Sequence, residues 1–262
     1  MRSAALQIAT TLFLLVTPAF GQQNLVRQEW TVEGTAREGL IYAPKSAKTE
    51  ATPVVFVFHG HGGTARHAAR TMAFHAAWPE AICVYLQGLN TPGQLTDPEG
   101  KKPGWQKTPG DQKDRDLKLF DETLRWLKQE YKVDEKRIYS TGHSNGGGFT
   151  YLLWAQRHDV LAAVAPSASA AGRRLGELKP LPVMHVGSKN DPLVKFAWQE
   201  MTIEAIKKTN GVGEGKSWGE HCTYYASEKG TPVVTYITDG KHSFDKGAVK
   251  EMVRFFKEQS RK

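Results

Sequence analysis

The sequence has little cysteine and, beyond its first twenty residues, no long apolar segment. Cys83 and Cys222 are the only cysteines among 262 residues, so one disulfide is the most that the chain can form within itself. An oxidising compartment would permit that pairing, but Cys83 lies in the apolar run 81–85, where a small buried residue needs no partner. No segment after residue 21 approaches the length of a membrane helix, which predicts a soluble mature protein without stable membrane insertion.

Concentrated charge, internal repeats and flexible linkers are also missing. The chain carries 35 basic and 27 acidic residues, and its basic pairs at 101–102, 173–174 and 207–208 are scattered rather than aligned. This distribution gives no support to nucleic-acid binding. No repeat of solenoid length and no Gly/Ser-rich linker divides the chain, so residues 22–262 are predicted to form a single catalytic domain.

The first residues have the order of a secretory signal peptide. Arg2 precedes an apolar run at 8–16, and the stretch Pro18-Ala19-Phe20-Gly21, with small residues at 19 and 21, follows. This pattern predicts a signal peptide over residues 1–21, and therefore a secreted or periplasmic protein. A retained N-terminal anchor is the alternative.

Short β-rich runs alternate with helical patterns along the rest of the chain, as in an α/β protein with a mainly parallel central sheet and helices on both faces. Segments near Trp30 and Ile41 could add antiparallel edge strands. Buried strands are predicted at 54–58, 82–86, 137–140, 162–165, 183–186 and 233–237. Helices are predicted at 64–77, 117–131, 145–157, 193–208 and 246–258.

One connection, residues 88–111, is rich in proline and glycine and has neither helical nor strand periodicity. Connections of this length are usually functional or disordered. Because this one follows a strand, it should leave the carboxyl edge of the sheet, where open α/β folds bind ligands. Trp105 is therefore predicted to form a wall of the substrate site.

The motif Gly142-His143-Ser144-Asn145-Gly146 matches GxSxG and stands between a predicted strand and a predicted helix. In this setting a serine occupies a sharp turn that projects its hydroxyl into a cleft, and the flanking glycines let neighbouring backbone approach. We therefore predict that Ser144 is a nucleophile.

A serine hydroxyl needs a base, and the base needs an orienting carboxylate. His242 lies on a loop after the last predicted strand, and Asp191 follows the strand at 183–186. The resulting order Ser, Asp, His is the order expected of α/β-hydrolases. Asp239 is the nearest competing acid.

The oxyanion of a tetrahedral intermediate needs hydrogen-bond donors. Two backbone amides are predicted to supply them: that of Asn145, directly after the nucleophile, and that of His61 in the glycine-rich turn 58–63, with Gly62 second. A metal site at His59 and His61 is not favoured, because no third ligand accompanies them at a convincing spacing.

Four segments together resemble the polyhydroxybutyrate depolymerase and feruloyl esterase-like family of carbohydrate esterases, within the α/β-hydrolase superfamily. They are FVFHGHGG, DRDLKLFDETLRWLKQEYKVDEKRIYSTGHSNGGG, NDPLV and DGKHSF. The resemblance implies Ser144, Asp191 and His242 as catalytic residues, and no cofactor or metal. Two departures, at the residues around His242 and at Ser188, leave the acyl preference open.

The function expected is that of a secreted serine esterase that forms an acyl-serine intermediate on feruloyl, acetyl or other short-chain esters of plant polysaccharide. Three alternatives remain: a polyhydroxyalkanoate or polyester depolymerase, a serine peptidase or acyltransferase on the same scaffold, and a non-catalytic carbohydrate-binding protein. The oligomeric state is left open.

Overall fold

A computed structural model describes residues 24–93 and 95–262, which build one ten-stranded sheet and a two-stranded hairpin. The sheet order is β1-β2-β4-β3-β7-β8-β9-β12-β11-β10, and β5 pairs with β6. The strands are β1 (Val26–Val32), β2 (Thr35–Tyr42), β3 (Thr52–Phe58), β4 (Ile82–Leu86), β5 (Leu89–Asn90), β6 (Pro103–Gly104), β7 (Val133–His143), β8 (Ala163–Ser167), β9 (Val183–Ser188), β10 (Val212–Gly219), β11 (Cys222–Ser227) and β12 (Val233–Thr238).

The centre of the sheet is parallel, and both of its edges are antiparallel. Strands β4, β3, β7, β8, β9 and β12 pair in parallel. Every residue of β3, β4, β8 and β9 is buried, which explains their continuous apolar sequences. At one edge β1 and β2 form the antiparallel strands predicted near Trp30 and Ile41. At the other edge β10 and β11 form a hairpin that the sequence pattern did not reveal.

Helices cover both faces of the sheet, as predicted. One apolar cluster includes residues of α3, α4 and α5, and the other includes residues of α1, α2 and α6. The predicted helix at 64–77 is two helices, because Ala73 takes a left-handed conformation with φ of 34°. The helices are α1 (Ala65–Met72), α2 (Phe74–Ala77), α3 (Arg115–Glu130), α4 (Asn145–Arg157), α5 (Phe196–Asn210) and α6 (Ala248–Lys257).

The proline- and glycine-rich connection after β4 is an ordered excursion held by hydrogen bonds. The short hairpin of β5 and β6 closes its base. Within it, the Asp97 carboxylate accepts the backbone amides of Lys101 at 3.2 Å and Lys102 at 2.9 Å. The Arg115 guanidinium donates to the Asn90 carbonyl at 2.8 Å. Side-chain hydrogen bonds of this kind hold the connection in place where it has no helix or long strand.

Cys83 and Cys222 do not pair. Both are free and buried, and they lie on β4 and β11, which are six strand spacings apart in the sheet order. At about 4.8 Å for each spacing the two strands are roughly 29 Å apart, far beyond the roughly 7 Å between Cα atoms that a disulfide can bridge. Burial among apolar side chains is the role of both thiols.

Among residues 24–93 and 95–262, no helix is long and apolar enough to cross a membrane. The predicted signal peptide over residues 1–21 lies outside the described residues. Export and the domain boundary at residue 22 therefore stay predictions.

Candidate active site

Ser144 occupies a strained turn between β7 and α4. Its φ of 56° and ψ of −118° are rare for a residue with a side chain. The turn brings backbone so close that a Cβ on Gly142 would lie 2.5 Å from the Gly146 carbonyl, and a Cβ on Gly146 would lie 2.3 Å from the Phe58 carbonyl oxygen. The Ser144 amide donates to the Ser167 carbonyl at 2.9 Å. The glycines of the motif are thus required by close approach, and the serine conformation is fixed by both neighbouring strands.

The structure brings Ser144, His242 and Asp191 into one hydrogen-bonded chain. The His242 Nε2 atom lies 2.8 Å from the Ser144 Oγ atom. The His242 Nδ1 atom lies 2.7 Å from an Asp191 carboxylate oxygen. With Nδ1 protonated and donating to the carboxylate, Nε2 is free to accept the serine proton. The three side chains come from the ends of β7, β9 and β12, which are drawn together at the carboxyl edge of the sheet.

Asp191 is held in position by donors from its own loop and from α5. Its side chain is fully buried. One carboxylate oxygen accepts the amides of Leu193 at 2.8 Å and Val194 at 2.9 Å, while the other faces His242. Backbone donors of this kind stabilise an ionised carboxylate away from water. The competing acid Asp239 is instead exposed and pairs with Lys189 at 3.2 Å.

The two amides predicted to bind an oxyanion lie on either side of Ser144. A Cβ on Gly60 would be 3.6 Å from the Ser144 Cβ atom, which places the turn before His61 directly beside the serine. In the described part of the chain, the amides of His61 and Asn145 donate to no protein acceptor. The Gly62 amide already donates to the Pro103 carbonyl at 2.7 Å. The His61 amide is therefore better placed than that of Gly62 to bind an oxyanion.

Residues 103–105 connect the two elements that carry these amides, the start of α4 and the turn after β3. The sequence did not reveal this connection. The Asn145 carboxamide accepts the Trp105 amide at 2.7 Å and donates to the Trp105 carbonyl at 3.2 Å. The Trp105 indole donates to the His59 carbonyl at 2.8 Å. Since Pro103 also binds Gly62, residues 103–105 connect the start of α4 to the turn after β3. This segment fixes the spacing between the two amides.

The prediction that Trp105 forms a substrate wall was wrong. Its side chain is fully buried and stacks on Phe149 with ring centroids 5.4 Å apart. The edge of the Phe58 ring packs against it at 5.1 Å. An indole faces the core when its apolar area is covered and its N–H finds a partner, and the His59 carbonyl is that partner. Trp105 therefore belongs to the core that underlies the site.

His59 and His61 are each engaged in the scaffold. The His59 Nε2 atom accepts the Gly88 amide at 3.0 Å, so its Nδ1 atom carries the proton and donates to the Gly60 carbonyl at 2.8 Å. The His61 Nε2 atom lies 3.0 Å from an Asp97 carboxylate oxygen. This last contact ties the long excursion to the turn beside Ser144, a long-range pairing without a sequence signal.

Replacing Asn145 by alanine is expected to lower kcat about 10- to 100-fold, with KM changed less than threefold. Loss of one oxyanion donor costs roughly 100- to 1000-fold, and this variant keeps the amide but loosens its position relative to the His61 amide. Steady-state kinetics on an aryl ester, together with the inhibition constant of a boronic acid, should show parallel losses. Asn190→Ala, whose side chain donates to the Asp239 carbonyl, is the control. An unchanged kcat in Asn145→Ala would contradict the role of the hydrogen bonds between Asn145 and Trp105 in positioning the two amides.

Three buried histidines should make the fold sensitive to mild acid. Burial lowers the pKa of His59, His143 and His185 from 6.5 to about 4 in each case. Because these pKa values are lower in the folded than in the unfolded chain, the stabilisation is complete above pH 6.5 and is lost as the pH falls towards 4. Thermal unfolding followed from pH 7 to pH 5 should show a falling Tm, with a shallower fall in His185→Gln. A Tm that is constant over this interval would contradict the assigned neutral state.

Known proteins with similar sequences include esterases. No family model matches it. It is 32% identical over 167 residues to a bifunctional acetylxylan esterase/xylanase of Neocallimastix patriciarum, covering 63% of this chain and 23% of that protein. It is 27% identical over 232 residues to feruloyl esterase B of Piromyces equi, covering 75% of this chain and 42% of that protein. The chain thus spans less than half the length of either relative.

Solved structures share the fold at low sequence identity. The ferulic acid esterase of Anaeromyces mucronatus, determined with ferulic acid, superposes with a TM-score of 0.62 at 14% identity, over 93% of each chain. The sheet and its flanking helices have the α/β-hydrolase fold, as predicted. The sequence relatives confirm the resemblance to the feruloyl esterase-like carbohydrate esterases.

Proposed function

We propose that the chain is a serine carboxylic-ester hydrolase that forms an acyl-serine intermediate, with Ser144, His242 and Asp191 as its catalytic residues. The observation that carries the proposal is the continuous hydrogen-bonded chain from the Ser144 Oγ atom through His242 to the buried Asp191 carboxylate. This arrangement delivers a nucleophile, a base and an orienting anion to one point.

In the first half of the reaction, the Ser144 Oγ atom attacks the ester carbonyl while His242 takes the hydroxyl proton. The negative charge then forming on the carbonyl oxygen is stabilised by the amides of His61 and Asn145, which are free to donate. His242 returns the proton to the departing alcohol, and the acyl group stays on Ser144. Asp191 stabilises the imidazolium that exists between these two proton transfers.

In the second half, a water molecule takes the place of the alcohol. His242 removes a proton from the water, which attacks the acyl-serine carbonyl, and the same two amides bind the second oxyanion. When the second tetrahedral intermediate collapses, the bond between its carbon and the Ser144 Oγ atom breaks. His242 returns the proton to the Ser144 Oγ atom, and the carboxylic acid is released. The serine proton leaves with the alcohol and the water supplies its replacement, so the two halves sum to ester hydrolysis with no change of oxidation state.

The substrate class proposed is the feruloyl, acetyl or other short-chain esters of plant polysaccharide. The names of the sequence relatives support it, since they include an acetylxylan esterase and feruloyl esterases. The activity of the whole protein and its export to a compartment containing such polymers belong to the same proposal.

A substrate panel tests this proposal. Hydrolysis of p-nitrophenyl acetate, p-nitrophenyl butyrate, methyl ferulate and acetylated xylan is measured for the wild type, with Ser144→Ala as the background. Turnover that disappears in the variant supports the esterase, and the preferred substrate identifies the acyl group. Folded wild-type protein that hydrolyses none of the four would overturn it.

A further inference from the structure

Exposed large apolar side chains concentrate beside the triad acid. Five such side chains are exposed in the described part of the chain, and three of them lie within nine residues of one another. Leu193 is 40% exposed, Trp198 is 43% exposed and Met201 is 67% exposed. Single exposed apolar residues are ordinary, but a group of them on neighbouring turns marks a candidate binding surface. We call these three residues the apolar platform.

The platform is attached to the active site through the first turn of α5. The Leu193 amide donates to Asp191 at 2.8 Å. Gln199, which follows Trp198, is fully buried, donates to the Val194 carbonyl at 2.7 Å and lies 3.5 Å from the Asp191 carboxylate. The turn that presents Trp198 to solvent thus also holds the acid of the triad. A ligand on the platform lies at the same edge of the sheet as Ser144.

The position of Trp198 in the first turn of α5 directs its indole towards that edge. Long side chains on a helix point back towards its N-terminus, and α5 begins at Phe196, directly after the Asp191 loop. The Lys195 Nζ atom lies 5.8 Å from the centroid of the Trp198 ring, which agrees with this direction. Met201, three residues on, lies on the same side of the helix. With 43% of its surface exposed, Trp198 stays accessible to solvent.

The size of the platform favours a sugar chain over a protein. Its exposed area is on the order of 300 Å², whereas a stable protein interface buries about 800 Å² on each partner. A pyranose ring offers a flat face of C–H groups that stacks on an indole, with hydroxyl groups at its rim. The exposed ammonium of Lys195, 5.8 Å from the centroid of the Trp198 ring, provides a partner for such hydroxyl groups.

We propose that Leu193, Trp198 and Met201 form a polysaccharide subsite that binds the sugar chain carrying the ester, with Trp198 as its stacking surface. This inference rests on the proposed esterase function and specifies its substrate as polymeric. The subsite adds affinity for a chain long enough to reach from Ser144 to α5. A small ester that occupies only the site at Ser144 gains nothing from it.

The first test measures binding to a polysaccharide that carries no ester to hydrolyse. Affinity electrophoresis compares migration in gels with and without de-esterified xylan. Wild type should be retarded, Trp198→Ala should lose most of the retardation and Trp198→Phe should keep part of it. Val26→Ala removes an exposed apolar side chain from the opposite edge of the sheet and should behave as wild type. Wild-type protein that is not retarded, or Trp198→Ala retarded equally, would overturn the subsite.

Kinetics provide the second test. For feruloylated xylan, Trp198→Ala should lower kcat/KM roughly tenfold, mainly through KM, with methyl ferulate unchanged within twofold. An equal loss on both substrates would show general damage near Asp191 and overturn the proposal. So would a wild-type dimer that Trp198→Ala converts to a monomer, since the occupant would then be a second copy of the chain.

The two proposals can fail separately. Turnover of methyl ferulate without retardation in xylan contradicts the subsite and leaves the esterase standing. Retardation that depends on Trp198 in a protein that hydrolyses no ester contradicts the esterase and leaves sugar binding standing.

Discussion

Replacing His242 by alanine is expected to lower kcat on p-nitrophenyl acetate about a millionfold, with KM changed less than tenfold. Without the imidazole, the Ser144 hydroxyl has no group to take its proton during attack. The residual rate reflects the oxyanion donors and substrate binding, which the variant retains. Steady-state and single-turnover rates of purified variant and wild type give the comparison.

His143 is the matched control for this prediction, because it is a second histidine at the same site. Its ring lies 5.1 Å from that of His242, centroid to centroid, and its Nδ1 atom lies 3.3 Å from the Ser167 Oγ atom. Burial lowers the pKa of His143 to about 4, which suits a packing role rather than a base. His143→Gln should cost less than a hundredfold in kcat. A loss equal to that of His242→Ala would contradict the assignment of the base.

Replacing Asp191 by asparagine should lower kcat about ten-thousandfold while the fold is kept. The new amide can still accept the Leu193 and Val194 amides through its oxygen, so its nitrogen then faces the His242 Nδ1 atom. That nitrogen donates, which forces the proton of the imidazole onto Nε2. In this tautomer Nε2 cannot accept the Ser144 proton. Burst kinetics of the variant test the predicted loss of kcat, and its thermal unfolding tests whether the fold is kept.

Asp239→Asn is the control for the acid, since Asp239 is a carboxylate only three residues from His242. Its side chain is exposed and pairs with Lys189, so a change of less than threefold in kcat is expected. If Asp239→Asn were the more damaging of the two substitutions, Asp191 would not be the residue that orients His242.

Much of the central sheet was predictable because buried parallel strands have continuous apolar sequences. The segments 54–58, 82–86 and 233–237 were all found, and α4 begins and ends where predicted. The hairpin of β10 and β11 was missed because β10 is mostly exposed and carries three glycines, so neither apolar alternation nor β propensity marks it. The break at Ala73 was missed because a left-handed alanine has no signature in sequence.

The candidate site was predictable in its residue types and chain order. Ser144, His242 and Asp191 each follow a strand of the sheet, so one edge collects them, and the structure brings them together. The roles of Asn145 and Asp97 were not predictable. Their partners, Trp105 and His61, lie 40 and 36 residues away, and only the folded path of the excursion brings them near. Trp105 was misjudged because a tryptophan in a glycine-rich loop gives no indication of which way it faces.

The most direct test of the account is the site of covalent labelling by a fluorophosphonate, read by intact mass and peptide mapping. One adduct per wild-type chain is expected, on Ser144, formed in step with loss of esterase activity. No adduct is expected in Ser144→Ala, and greatly slowed labelling is expected in His242→Ala. Labelling of another residue, or activity that survives complete labelling of Ser144, would contradict the central claim.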